Sequence, residues 1–302
     1  MHGFLSFWIV NKLGHGAYGA GLSISMTYWL RWIMTELSML FYSETRRAMR
    51  WTPSSLKWTG IVSYMTLACS NSVLLWIEWI SYELQALLAG WVGTEGLASH
   101  VAGANVVTAV FMMAIGLSQS TAALVGISLG KRKPNTAQSF ASVAMAFTAV
   151  LYAFVCVGII AWRDGIASLI SSDPIVIDTL HNLLIVVGVF SIVDALNGVG
   201  EGVLRGLGLQ SKAVIFKMIG MLAVRLPVGY ILSLRVGVSG IWIGAILGMS
   251  VGCTAIGYIM TTVDFNECSV KALQIQEDEK ASGLLEPLNG RRPDSPLSET
   301  HI

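Results

Sequence analysis

Two acids, Glu78 and Glu83, stand inside LLWIEWISYELQALLAGWVG, residues 74–93, an apolar run long enough to cross a bilayer. A carboxylate in hydrocarbon is costly and is retained where it faces a bundle interior or a watery cavity, so the run marks a functional site. Glu78 lies about 20 Å along a helix from the end of the run at Trp91, beyond the reach of a side chain that snorkels to water. Tyr82, four residues on, projects from the same face and can donate a hydrogen bond, whereas Glu83 is rotated away by more than a quarter turn. Trp76 and Trp79 flank Glu78, and such rings can hold an organic cation against their π faces. The competing assignment for Glu78 is a structural ion pair with a buried Arg.

A second group, Asp194, Asn197 and Glu201, falls at i, i+3 and i+7, one stripe of a helix. Arg205 follows Glu201 at i+4 in the favourable order, so a boundary ion pair is expected there. Asp194 lies about two turns deeper and has no such escape. Glu36, Arg31 and Arg225 are also expected at membrane depth. An Arg in that setting suggests pairing with one of these acids or contact with an anionic substrate.

Enzymatic chemistry finds no support. GISLGKRK, residues 126–133, has one residue too few between its glycines for a phosphate loop, places Arg132 where Ser or Thr is needed, and lies at a helix end. HExxH and GxSxG arrangements are absent, and His2, His15, His100, His181 and His301 are scattered without ligand spacing. Cys69, Cys156, Cys253 and Cys268 suggest neither a disulfide framework nor a zinc site. No enzyme activity, cofactor, metal or nucleic-acid partner is therefore expected, and the net charge of +1 favours no class of partner.

The elements that must carry these groups are transmembrane helices. With 54% hydrophobic and only 12% charged residues, the chain has about half the charge of a soluble domain. Spans of about 20 residues are expected near 15–43, 59–91, 99–129, 136–162, 176–204, 212–234 and 238–263. GFLSFWIV, residues 3–10, is too short to cross, does not read as a signal peptide, and looks like the tail of a helix that begins earlier.

Loop charges alternate. Arg46, Arg47, Arg50, Lys57, Lys131, Arg132, Lys133, Arg205 and Lys212 occupy every second connection, and the others hold only Lys12, Arg163 and Arg235. Basic loops stay in the cytoplasm, which puts residues 264–302 inside as well. That polar segment is expected to be a disordered cytoplasmic tail. Gly240, Gly244, Gly248 and Gly252, and likewise Gly198, Gly202 and Gly206, stack on single helical faces, as tight helix packing or a sliding surface would need.

Three stretches resemble the multidrug and toxic compound extrusion (MATE) transporters. WIEWISYELQALLAG, residues 76–90, is similar to the family's seventh helix, with Glu78 at its essential acid and Glu83 at a second acid of the eukaryotic branch. LASHVAGANVVTAVFMMAIGLSQSTAALVGISLG, residues 97–130, resembles the eighth helix, with Asn105 at a polar position, Ala114 where Pro is common and Leu124 at the place of an Arg. DALNGVGEGVLRGLGLQSKA, residues 194–213, and RLPVGYILSLRVGVSGIWIG, residues 225–244, are similar to the tenth to twelfth helices, with Asp194 where an acid often stands.

The resemblance implies an all-α polytopic bundle of about seven transmembrane helices, divided into four parts. Residues 1–43 would be a remnant of a first bundle, 44–58 a cytoplasmic inter-bundle loop, 59–263 a second six-helix bundle, and 264–302 the tail. It further implies a multi-pass protein of the plasma membrane or of a vacuolar or endosomal membrane, exporting organic cations or xenobiotics in exchange for protons or sodium. Glu78, Asp194, Tyr82, Asn105, Glu83 and Asn197 would form the substrate and proton site, one bundle rocking against the other around it. The partners implied are a small organic cation, the coupling ion, the lipid bilayer and the missing N-terminal bundle. Two alternatives stay open: the same fold moving an organic anion or lipid-linked oligosaccharide, favoured by Arg31 and Arg225, and a truncated, non-transporting membrane subunit.

Overall fold

The computed structural model describes residues 2–12, 14, 16–41 and 58–281, and no strand occurs among the described residues. In chain order, α1 is His2–Ser6, which widens into a π-helical segment, Phe7–Lys12. There follow α2, Gly16–Phe41, α3, Trp58–Val92, α4, Thr94–Gly130, and α5, Pro134–Ala161. The short α6, Arg163–Ile170, leads into α7, Pro174–Gly206. Next, α8, Gln210–Met218, runs through a second π segment, Ile219–Val224, into α9, Arg225–Val236. The last two are α10, Val238–Thr262, and α11, Phe265–Ala281.

Among the described residues, five stretches are long and apolar enough to cross a membrane: α4, α5, α7, the continuous run Gln210–Val236, and α10. At 26 and 35 residues, α2 and α3 have the length for a crossing, so seven spans is an approximate count.

The chain divides into two compact units, residues 1–61 and 62–302. In the first, the Ser6 and Ser23 hydroxyls meet at 2.8 Å and His2 Nδ1 lies 3.2 Å from Thr27 Oγ1, which pins α1 to α2. Tyr28, Trp29 and Trp32 of α2 are exposed. Arg31 is exposed and Glu36 half-buried, and neither forms an ion pair among the described residues.

The second unit is built around α7, which packs against α4, α5, α6 and α10. Leu180, Leu183, Leu184, Val187 and Phe190 of α7 are fully buried and meet Trp242, Ala245 and Met249 of α10. The glycine stripes make these approaches possible. A Cβ on Gly202 would stand 2.4 Å from the Ser118 carbonyl oxygen of α4, and one on Gly248 of α10 would stand 2.4 Å from the Gly220 carbonyl oxygen. Backbones this close leave no room for any side chain.

Local sequence sets the helix ends. Asp173 caps α7 by accepting a hydrogen bond from the Ile175 amide at 2.9 Å, with Pro174 at the first helical position. At the other end Gly208 takes φ 71° and the Leu209 amide returns to the Leu204 carbonyl at 2.8 Å, a Schellman closure.

One expectation is corrected. Residues 265–281 of the supposed disordered tail form α11. Asp264 starts it by accepting from the Asn266 amide at 2.8 Å, Phe265 and Cys268 bury against Val125, Leu129, Ala137 and Ala141, and the Ser269 hydroxyl donates to the Leu129 carbonyl at 2.9 Å. A polar composition hid a few apolar residues that gain a docking surface only in three dimensions. Residues 282–302, and all of the expected 44–58 loop except Trp58, lie outside the described residues, as do Arg46, Arg47, Arg50 and Lys57.

Candidate functional site

The buried face of α3 carries Ile77, Ser81, Gln85 and Ala89, and Glu78 and Tyr82 sit beside it, partly buried. Glu83 lies on the exposed side of α3, rotated away from Glu78. Trp76 and Trp79 are 69% and 63% exposed, so the expectation that they flank a cation held at Glu78 is corrected: at two residues before and one after, the rings lie about 160° and 100° around the helix from Glu78 and face outward from the unit. Rings that do face a cation are Tyr82 and Phe190, whose centroids lie 4.2 Å and 5.9 Å from Arg225 Cζ.

Opposite Glu78 stands a residue to which sequence reasoning assigned no role. Lys217 of α8 donates from Nζ to Glu78 Oε2 at 2.9 Å and to Glu201 Oε1 at 2.6 Å. Its side chain is 9% exposed, against 21% for Glu78 and 17% for Glu201. One ammonium thus ties α3, α7 and α8 together. The signal was in the sequence, since Lys217, like Arg225, is a charge well inside the expected 212–234 span, as Glu78 is in its own.

Arg205 does not take Glu201, which corrects the expected i,i+4 pair. Its Nη2 donates instead to the Ser118 hydroxyl at 2.7 Å, and that hydroxyl donates to the Gly198 carbonyl at 2.6 Å. The approach of α4 to α7 at Gly202 brings Ser118 within reach of the guanidinium, and Lys217 supplies Glu201 with a more deeply buried partner.

The π segment explains how α8 and α9 contribute two cations to one site. Eight residues of strict α-helix would set Arg225 about 80° around the axis from Lys217. The wider π turns rotate Arg225 back toward the Lys217 face, and Ser81 accommodates the irregular backbone by donating to the Met221 carbonyl at 3.1 Å. Arg225 is 1% exposed. Both Nε, at 3.1 Å, and Nη2 donate to Gln85 Oε1, and Nη1 has no partner among the described residues. The expected pairing of Arg225 with an acid is replaced by a neutral amide, because Gln85 lies on the buried face of α3 where Glu83 does not.

Asp194 is 3% exposed, its Oδ1 has no hydrogen-bond partner among the described residues, and it lies within Coulombic reach of Glu78, Arg225, Lys217 and Glu201. Asn197, one turn on, donates to the Met249 carbonyl at 2.6 Å and packs its Oδ1 where a Cβ on Gly252 would stand, so it ties α7 to α10. Asn105 is exposed and makes no side-chain hydrogen bond to this cluster among the described residues. The structure therefore gathers Glu78, Tyr82 and Asp194, adds Glu201, Lys217, Arg225 and Gln85, and leaves Glu83 and Asn105 exposed. A cluster of carboxylates interleaved with cations can exchange a bound cation, including a proton, at small net charge change.

Comparison with known proteins places this geometry in a wider context. The MatE family model matches residues 72–231. The chain is 30% identical over 303 residues to the probable multidrug resistance protein NorM of Mannheimia succiniciproducens, covering 93% of this chain and 61% of that protein. It is 28% identical over 187 residues to multidrug and toxin extrusion protein 1 of Oryctolagus cuniculus, covering 61% and 33%, and 26% identical over 256 residues to an uncharacterized transporter of Schizosaccharomyces pombe, covering 84% and 48%. The chain thus spans between a third and two thirds of the length of these relatives. Among solved structures, the eukaryotic MATE transporter AtDTX14 superposes with a TM-score of 0.83 at 23% identity, over 91% of this chain and 62% of that one.

Proposed function

The chain belongs to the MatE family and is an integral, multi-pass membrane protein, and from that premise we propose that it exports organic cations or xenobiotics by secondary antiport. The coupling ion is a proton, with sodium the alternative. Glu78 is the exchange group, Asp194 and Tyr82 support it, and Asn197 holds α7 and α10 in register around it. Glu83 and Asn105 belong to the proposal as exposed polar groups.

The observation that carries the reading is the meeting of Glu78 and Glu201 on the buried Lys217 ammonium, with the buried Asp194 two turns back along α7 from Glu201. Carboxylates are held in such a place when they have ions to handle. An ionised carboxylate binds an organic cation, and a protonated one releases it, so proton and substrate exclude each other and a gradient of one drives the other. Alternating access, by motion of the helices around a midplane site, completes the cycle.

A second reading, an organic anion as substrate, is favoured by the buried Arg225 Nη1, which has no partner among the described residues. Reconstitution separates the two. In liposomes under an imposed pH gradient, or a sodium gradient in a parallel arm, efflux of a fluorescent organic cation should follow the gradient and be lost on Glu78→Gln. Cation transport indifferent to that substitution, or transport of anionic dyes alone, would overturn the cation-exchange mechanism.

A further inference from the structure

Helices α4 and α7 close with the same turn but a different residue at its tightest point. At the end of α4 the Lys133 amide returns to the Ser128 carbonyl at 2.9 Å and the Arg132 amide to the Leu129 carbonyl at 3.0 Å, the Schellman pattern that Gly208 completes after α7. Arg132 takes the left-handed position with φ 57°, and it is the one non-glycine with positive φ among the described residues. A Cβ is disfavoured there and glycine is the ordinary choice, so an Arg held in that conformation points to what its side chain does.

That side chain lines an open cavity of about 490 Å³ between the turn and α11. Across from it Ser269, Val270, Leu273, Gln274 and Glu277 fall at i, i+1, i+4, i+5 and i+8, one stripe of α11. The Ser269 bond to the Leu129 carbonyl fastens the stripe to the turn. Neither the Arg132 guanidinium nor the Glu277 carboxylate has an ion-pair partner among the described residues, while Lys271 is taken by Glu267. Helical side chains lean toward the N-terminus, so Glu277 leans toward the Arg132 end of the stripe. The groove opens where α4 ends at Gly130 and α5 begins at Pro134, the depth at which spans give way to lipid headgroups.

A free cation, a free anion and an apolar strip in one groove at that depth fit a zwitterionic phospholipid. We propose that the groove binds phosphatidylethanolamine from the leaflet on the side of the basic loop: Arg132 takes the phosphate, Glu277 and Gln274 take the ammonium, and Val270 and Leu273 lie along the glycerol and the upper acyl chain. A guanidinium suits a phosphate because its fork of N–H groups matches two phosphate oxygens. Phosphatidylglycerol offers the phosphate with no cation for Glu277, and the quaternary ammonium of phosphatidylcholine has no N–H to donate. A water-soluble phosphate ester has nothing to cover Val270, which is exposed. This site is independent of the exchange chemistry at Glu78.

The test is thermal unfolding of the purified full chain in detergent with dioleoyl phosphatidylethanolamine, phosphatidylglycerol or phosphatidylcholine at equal mole fraction, with native mass spectrometry to follow bound lipid. Phosphatidylethanolamine should raise the wild-type unfolding temperature by about 3 °C or more beyond the other two and stay bound in the mass spectrum. Arg132→Gly, which suits the backbone of the turn, should unfold near the wild-type temperature without lipid and lose the extra shift. Glu277→Gln should respond equally to phosphatidylethanolamine and phosphatidylglycerol. Equal shifts from all three lipids in the wild type, as unselective boundary lipid would give, overturn the proposal. So does a phosphatidylethanolamine preference that survives both substitutions, or an equal shift from water-soluble phosphoethanolamine, which would make the groove a site for a free phosphate ester. Should Arg132→Gly not fold, Glu277→Gln, on an exposed helix face, decides.

Discussion

Asn197 shows how a residue of this site can matter without touching a substrate. Its amide donates to the Met249 carbonyl at 2.6 Å inside a contact opened by Gly252. Asn197→Ala leaves a buried carbonyl without its donor, and a loss of about 1–3 kcal/mol is expected, read as a lower unfolding temperature in detergent. Cys268 allows a test outside the membrane-spanning helices. It is 8% exposed on α11, and burial pushes its thiol above the ordinary value. The reactive thiolate is thus scarcer at neutral pH than in a free cysteine, so a water-soluble maleimide should modify Cys268 slowly at pH 7 and faster as pH rises. Rapid modification at pH 7, followed by mass spectrometry, would contradict the docked α11.

At the scale of elements, α4 carries an interruption that sequence did not reveal. The Tyr152 hydroxyl of α5 donates to the Val110 carbonyl at 2.7 Å and accepts from the Ala114 amide at 3.0 Å, placing itself between a donor and acceptor four residues apart on α4. A group inserted there bends a helix or gives it a hinge. Ala114 is the position where the resemblance leads one to expect Pro, which would break the same rung by lacking an N–H. Tyr152→Phe should cost about 1–2 kcal/mol if both bonds are lost, visible as a melting shift with retained helicity by circular dichroism. The glycine faces are less forgiving. Any side chain at Gly202 or Gly248 meets backbone at 2.4 Å, so Gly202→Leu or Gly248→Leu should prevent accumulation of monodisperse protein on size-exclusion chromatography. Gly257, whose added Cβ meets nothing within 4 Å, is the control, and Gly257→Ala should behave as wild type.

For the whole molecule, the alternating basic loops and the docking of α11 lead to one topological prediction. Ser269 of α11 bonds the Leu129 carbonyl at the end of α4 that leads into Lys131–Lys133. The basic loop and α11 must therefore share a side, and the excess of Lys and Arg predicts that this side is cytoplasmic. Single cysteines at Lys133 and at Gln274 in a Cys-free background should be labelled by a membrane-impermeant reagent only after the cytoplasmic face is opened. Labelling of either in intact cells would reverse the assigned orientation.

Composition marked most of the crossings, because hydrocarbon demands about 20 apolar residues per span and tolerates few charges. The sequence by itself also singled out Glu78 and Asp194, since an acid in such a run is conspicuous whatever surrounds it. Partnership was decided only by tertiary structure. Whether Glu201 is held by Arg205 or by Lys217 depends on how closely α4, α7 and α8 pack, a matter of glycine contacts between distant segments. Whether Arg225 faces an acid or Gln85 depends on a π segment that periodicity cannot foresee, because every residue in it is an ordinary apolar one. The docking of α11 needed a surface assembled from α4 and α5 before its few apolar residues had anywhere to go. A helix needs only its own residues to know where it crosses, but a charge inside it needs its neighbours to know what it is for.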